Sequence, residues 1–166
     1  MILRPATPAD FAFIRGVAGN PDNAPFITDE DEAGLADYLD TPEHRLMIWQ
    51  DAQGPAGLAL YCEIGDPSGK VELRRLALAR PSQGEGPVFL QALIDYAFHN
   101  LQAQRLWLDA SAENPRAQKA YLKAGFVFEG RQRAHWFRPA LGRAVDLMLY
   151  GILREEWQHT KAPLQP

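Results

Sequence analysis

The chain holds a single cysteine, Cys62, in 166 residues. One thiol cannot close an internal disulfide, which excludes a stapled extracellular scaffold and leads us to expect a reducing, cytoplasmic setting. There is no basic run, and the formal net charge is -4. Non-specific nucleic-acid binding needs a positive patch that displaces counterions, so no nucleic-acid partner is expected. No apolar run approaches the roughly 20 residues that cross a bilayer, so no membrane partner is expected either. The opening "MILRPATPAD" has no apolar core behind a basic segment and does not read as a secretory signal. His44, His99, His135 and His159 lie scattered, without metal-ligand spacing, so no metal is expected. Internal repeats are absent.

What is present is ordinary for a globular protein. Hydrophobic residues make up 46% and charged residues 23%, with length enough for a sizeable core. The reading is one domain over residues 1–158 and a loose tail over 159–166. "ILR" reads as a first strand. "TPADFAFIRGVAG" reads as a helix with Thr7 as its cap and Pro8 at its first position. "TDEDEAGLADYLD" reads as a second helix with acids in its first turn. "RLMIWQD", "AGLALYCEI" and "KVELRRLALA" read as strands, followed by the helix "GPVFLQALIDYAFHNL". "RLWLDA" is a strand, "NPRAQKAYLKAG" a helix, "FVFEGRQRAHWFR" and "AVDLMLYGIL" two strands, and "REEW" a terminal turn. Cys62 alternates onto one strand face with Leu58, Leu60 and Ile64, as a buried small hydrophobe would. The order β-α-α-β-β-β-α-β-α-β-β predicts an α/β fold.

Two stretches could carry chemistry. In "LALARPSQGEGPVFLQAL" a strand leads through a glycine-containing turn into a helix. A helix start presents unpaired N–H groups and the positive end of the dipole, which suits phosphate. Pro87 costs nothing in the first turn, where its missing N–H would be unpaired anyway. A dinucleotide fingerprint would need a third glycine where Phe89 stands, and the Gly-Lys-Ser/Thr of a P-loop is absent. The second stretch is "RLWLDASAENPRAQKAYLKAGF". Singly, its residues have plain structural roles: Asn114 a helix cap, Tyr121 a core aromatic on the face of Ala117 and Ala124, Gly125 a helix stop, Asp109 a turn residue.

Together the two stretches resemble the GNAT superfamily of N-acetyltransferases, most specifically from Leu73 to Gly130. The run N-P-R-A-x-x-x-Y-x-x-x-G-F-x-x-E-G, Asn114 to Gly130, is similar to the family's acetyl-CoA half-site. "RLALARPSQGEG" resembles its strand and pyrophosphate loop, and "VDLMLYGILREEW" is similar to the branch with ribosomal-protein N-terminal and small-amine acetyltransferases. The loop pattern Gln/Arg-x-x-Gly-x-Gly/Ala fits in two registers. Either Gly84 and Gly86 are its glycines with Pro81 first, or Gln83 is first with Gly86 next and Val88 in the small position.

The resemblance implies a mixed, mostly antiparallel central sheet flanked by about four helices, with two central strands splayed to hold acetyl-CoA. It implies pantetheine pairing near Leu76, Ala77 and Leu78, and pyrophosphate on Gln83, Gly84, Glu85, Gly86, Pro87 and Val88. Asn114 would contact the pantetheine arm, Ala117 would join the cofactor-binding residues, and Tyr121 would lie near the thioester sulfur. The implied reaction is direct attack of a primary amine, of a small molecule or a peptide N-terminus, on the thioester. Asp109 is the first choice of base and Glu72 the second, a backbone N–H near Leu76 or Ala77 meets the oxyanion, and Tyr121 gives the thiolate its proton. A homodimer is expected, with "VDLMLYGIL" lining a shared surface. The loop's departure from the pattern motivates a rival reading, a non-catalytic acyl-CoA-binding module. On the acceptor side, acids from Asp29 to Asp40 face arginines of the last hairpin, so charge does not choose the acceptor.

Overall fold

The computed structural model of the protein describes residues 1–81 and 83–161. Seven strands form one sheet: β1 (Ile2–Pro5), β2 (Arg45–Asp51), β3 (Gly54–Cys62), β4 (Lys70–Leu78), β5 (Arg105–Ser111), β6 (Val127–Arg138) and β7 (Arg143–Leu153). Their order across the sheet is β1-β2-β3-β4-β5-β7-β6, and every neighbouring pair is antiparallel except β4 with β5. The helices are α1 (Phe11–Ala18), α2 (Glu32–Asp40), α3 (Gly86–His99), α4 (Pro115–Lys123) and α5 (Arg154–Lys161).

The sheet's two faces carry separate cores, because strand side chains alternate. On one face α1 and α2 bury Phe11, Ile14, Val17 and Leu35 against Leu46, Ile48, Leu58, Leu60 and Cys62. On the other, α3 buries Phe89, Leu93, Ile94 and Phe98 against Met47, Tyr61, Val71, Leu73, Leu106 and Leu108. Cys62 is buried, as its alternation predicts, and burial pushes its thiol up to about 11, so it is an inert apolar side chain.

Two expectations change. Pro8 opens a separate 3-10 turn, Pro8–Asp10, ahead of α1. There the buried Asp10 carboxylate accepts from Thr7 N–H at 2.8 Å and from two Arg4 nitrogens at 2.9 and 2.7 Å. "REEW" begins a helix rather than a turn, so a fifth helix joins the expected four, and residues 159–161 belong to it. Its sequence hides it, since Trp157 alone is apolar; the indole stacks on Phe98 with ring centres 5.0 Å apart and donates to Asp95 Oδ1 at 2.8 Å. The rest of the expected tail, 162–166, lies outside the described residues. β7 lies between β5 and β6, so both of its edges are paired inside the chain. Among the described residues, no helix is long and apolar enough to cross a membrane.

Candidate active site

The parallel ladder between β4 and β5 is short. It pairs Lys70 with Arg105, Val71 with Leu106 and Glu72 with Trp107, and there it ends. Beyond Glu72, β4 continues on β3 as far as Leu78, while β5 continues on β7 as far as Ser111. The strands fork, and among the described residues the β5-facing backbone edge of Leu73–Leu78 has no strand partner. A bulge in β4 accompanies the fork: Leu60 pairs with Arg75 and Tyr61 with Leu73, leaving Arg74 extra. Such a bulge bends its strand.

A cavity of about 600 Å³ fills the fork, within the range of small-molecule sites. Glu72, Leu76, Ala77, Leu78, Gly84, Gly86, Pro87, Asp109, Asn114, Ala117 and Tyr121 all line it. The two stretches that looked chemical are thus brought to one space from opposite sides. Gln83, Glu85 and Val88 do not line it with the others. Glu85 caps the start of α3, and its carbonyl accepts the Phe89 N–H at 3.0 Å. Gly84 has φ +84, a conformation glycine adopts freely. Among the described residues outside its own helix and chain neighbours, a Cβ at Gly86 would meet no atom within 4 Å, so the backbone at this helix start is open to an approaching anion.

The second side of the cavity is α4. Asn114 is its cap, accepting from the Ala117 N–H at 3.1 Å, so the plain structural role is real. Asn114 also lines the cavity. Gln118 ties α4 to the end of β5, donating to the carbonyls of Ser111 and Ala112 at 3.2 and 3.1 Å. Tyr121 is buried, its ring 5.7 Å from Tyr150 and 6.0 Å from Phe126. Its hydroxyl has no hydrogen-bond partner among the described residues. Burial first, and the nearby Asp109 charge second, raise its pKa well above 10 and hold it protonated.

The carboxylates at the fork differ. Glu72 is 8% exposed, and one of its oxygens accepts from Arg74 Nε and Nη2 at 2.9 and 2.6 Å. Asp109 has neither ion pair nor hydrogen bond among the described residues. Burial, then the charge of Glu72, push its carboxyl up to about 6, with His135 and Arg74 pulling the other way. A carboxyl that titrates there can exchange a proton close to neutral pH.

His135 joins the site through a second bulge. Gln132 pairs with Leu147 and Trp136 with Val145, so three residues of β6 oppose Asp146 alone. Asp146 holds the bulge by accepting from the Ala134 N–H and from Arg131 Nε, each at 2.6 Å. Nothing in the sequence around His135 announces this, since bulges leave little trace in a strand pattern.

Arg138 was equally hidden. It reads as one more hairpin arginine, yet it is 3% exposed. Its guanidinium donates to the carbonyls of Ala24, Pro25 and Ile27 at 2.5, 3.0 and 3.0 Å and to Thr28 Oγ1 at 3.3 Å. Phe26, Ile27 and Thr28 line the cavity, so Arg138 fastens one wall to the last hairpin. Arg138→Ala should lower stability by about 2 kcal/mol or more, since hydrogen bonds from a charged donor are lost. The melting temperature should fall by roughly 4–8 °C, read by calorimetry. A drop of less than about 1 °C would show that the loop does not depend on this residue.

The acids of residues 29–31 turn out to serve structure. Asp29 pairs with Arg15 at 3.2 Å, Glu30 with Arg75 at 2.5 Å, and Asp31 caps α2 by accepting from the Gly34 N–H at 2.9 Å. None of them lines the cavity.

Residues 1–127 match the profile of the acetyltransferase (GNAT) domain family. The chain belongs to the GNAT acetyltransferase family. As such it is an acetyl-CoA-dependent N-acetyltransferase, with acetyl-CoA as cosubstrate. The acetyltransferase is 28% identical over 120 residues to a spermidine N(1)-acetyltransferase of Vibrio cholerae, covering 71% of this chain and 68% of that protein. A crystal structure of the Vibrio cholerae spermidine N-acetyltransferase in complex with CoA and spermine superposes with a TM-score of 0.84 at 24% identity, over 95% of this chain and 97% of that one. A dodecameric structure of the same enzyme gives 0.81 at 23%, over 97% and 98%. At this identity the structural likeness speaks for the fold. It agrees with the mixed, mostly antiparallel α/β fold of the acetyltransferase.

Proposed function

We propose that the protein acetylates a primary amine, of a small molecule or a peptide N-terminus, by direct attack on bound acetyl-CoA, with Asp109 as the base. The observation that carries this reading is the Asp109 carboxyl at the fork, unpaired and pushed up to about 6. An alkyl amine has a pKa near 10 and is mostly protonated at neutral pH, so a proton must leave before its nitrogen can attack. Glu72 is the second candidate, but its engagement by Arg74 makes it a poorer acceptor. The ammonium gives up one proton to solvent, the neutral nitrogen bonds to the thioester carbon and passes a second proton to Asp109, the carbon–sulfur bond breaks, and Tyr121 protonates the departing thiolate and regains its proton from Asp109 or solvent.

In this reading the unpaired edge of β4 at Leu76–Leu78 receives the pantetheine arm as an added strand would be received. Gly84 to Val88, including the start of α3, receives the pyrophosphate, and Asn114 contacts the arm. The size of the cavity and the open backbone at Gly86 support that placement. Acetyl-CoA at 100 times its dissociation constant should stabilise the protein by about 2.7 kcal/mol. That corresponds to a rise of roughly 5–10 °C in melting temperature. A flat melting curve at millimolar acetyl-CoA would remove the site.

The deciding experiment is product mass spectrometry after incubation with acetyl-CoA and a mixture of amines, amino acids and peptides. Acetylated product supports the reading. Binding of acetyl-CoA without product from any acceptor class supports the acyl-CoA-binding module instead. The proposal includes self-association, as in the solved relative described as dodecameric. Light scattering that shows only an 18.6 kDa monomer would end that part.

A further inference from the structure

Two consecutive arginines, Arg74 and Arg75, line the same cavity. Neighbours on a regular strand face opposite sides of the sheet. Here Arg74 is the extra residue of the β4 bulge, and a bulge re-aims side chains. Arg75 reaches the α1/α2 face, where it pairs with Glu30, and Arg74 lies within electrostatic range of that face. The Cys62 thiol, raised chiefly by burial, is pulled the other way by both of them. Arg75 lies over the Tyr38 ring, 5.5 Å from its centre, and Arg74 is also within electrostatic range of Tyr38.

Each cation has one carboxylate and spare donors. Glu72 takes Nε and Nη2 of Arg74, leaving Nη1. Glu30 takes Nη2 of Arg75, leaving Nε and Nη1. Those spare donors have no acceptor among the described residues, and the Arg75 side chain is only 15% exposed. Both arginines line the cavity, so a ligand bound there could supply an acceptor to these donors and gain charge-assisted hydrogen bonds. Against the two arginines, the acids lining the cavity among the described residues are Glu72 and Asp109, and Arg74 already holds Glu72.

We propose that the acceptor is a small amine that carries a carboxylate in the same molecule, its amine directed to Asp109 and its carboxylate to the spare donors of Arg74 and Arg75. This rests on the N-acetyltransferase reading above. The two ends of such a molecule meet opposite charges in the cavity. A polyamine would instead bring several cations to a wall with one unpaired carboxylate and two arginines. Guanidinium forks suit planar carboxylates, which strengthens the match.

The test is a set of matched acceptors given to the whole enzyme with acetyl-CoA. Each amino acid is paired with its carboxamide, its decarboxylated amine and its aminophosphonate analogue, and spermidine is included. The acids should exceed their amides and spermidine in kcat/KM by about tenfold or more, as for a charge-assisted hydrogen bond. Arg74→Gln and Arg75→Gln should each lower the acid-to-amide ratio by about tenfold. The ratio is taken on a single preparation, so partial loss of folded protein through the Glu30 contact cancels. Amides or spermidine turned over as well as the acids would overturn the inference while leaving N-acetylation standing. So would a ratio unmoved in both variants. Aminophosphonates preferred over carboxylates would overturn the carboxylate assignment. Acetylation of no member would end this inference together with the reading beneath it.

Discussion

Replacing Asp109 by asparagine should lower kcat on the true acceptor by roughly 10²- to 10⁴-fold, the usual contribution of a positioned general base. The substitution keeps the shape and removes the proton acceptor. In the parent enzyme kcat/KM should also fall as pH drops below about 6, where the Asp109 carboxyl takes up its proton. That limb should vanish in the variant, whatever the pH dependence contributed by the amine itself. An Asp109→Asn enzyme with parental turnover would move the base to Glu72 or to a water chain.

The same substitution should stabilise the protein, and the sign follows from linkage. The folded Asp109 carboxyl is raised from 3.8 to about 6, so the folded state binds the proton more tightly than the unfolded chain. Stability is therefore lost as pH rises through that window, and the full penalty is present above it. Asparagine carries no such penalty. The melting-temperature difference between variant and parent should be near zero below the ordinary aspartate pKa, grow across the window, and level off above it. A difference that stays flat with pH would mean that Asp109 titrates like a surface carboxylate. A residue that costs stability and supports turnover is the expected signature of a functional carboxylate.

The sequence made the order of elements readable, because alternation and helical spacing are local signals. Arg45–Asp51, the start of α3 at Gly86 and the cap at Asn114 all lie where the pattern places them. The fork between "RLALA" and "RLWLDA" was legible only through resemblance, since no single strand reveals where its ladder stops. Two β-bulges were not legible at all. One places Arg74 beside Arg75, and the other frees the stretch that carries His135. Both depend on partners far away in the chain. The charges were misleading for a related reason. A row of acids before α2 and a row of arginines in the last hairpin look like solvated faces. Yet Glu30 and Arg138 are spent on long-range contacts, with Arg75 in one case and the Ala24–Thr28 loop in the other. Composition records how many charges there are, whereas the fold decides which of them remain unpaired.

Tyr121→Phe should lower kcat by roughly 10²-fold or more while leaving the fold intact. The ring supplies the packing, against Tyr150 and Phe126, and phenylalanine keeps it. The hydroxyl has no hydrogen-bond partner among the described residues, so its removal should change stability by less than about 1 kcal/mol. Its role in the proposed reaction has a difficulty that fixes the order of events. A thiol has a pKa near 8.5, so a tyrosine held well above 10 gives its proton to a thiolate uphill. One cause of that elevation is the negative charge of Asp109. When Asp109 takes the amine proton, the charge disappears, and Tyr121 becomes a stronger acid at the moment the sulfur departs. The two residues should therefore act as a unit rather than independently. In an Asp109→Asn background the Tyr121→Phe step should cost much less than it does alone, as coupled catalytic groups do. Single-turnover rates for the parent, both single variants and the double variant measure this directly. Fully additive losses would mean that Tyr121 donates without help from Asp109. A Tyr121→Phe enzyme as fast as the parent would make the residue a packing aromatic, with the thiolate leaving on a proton from solvent.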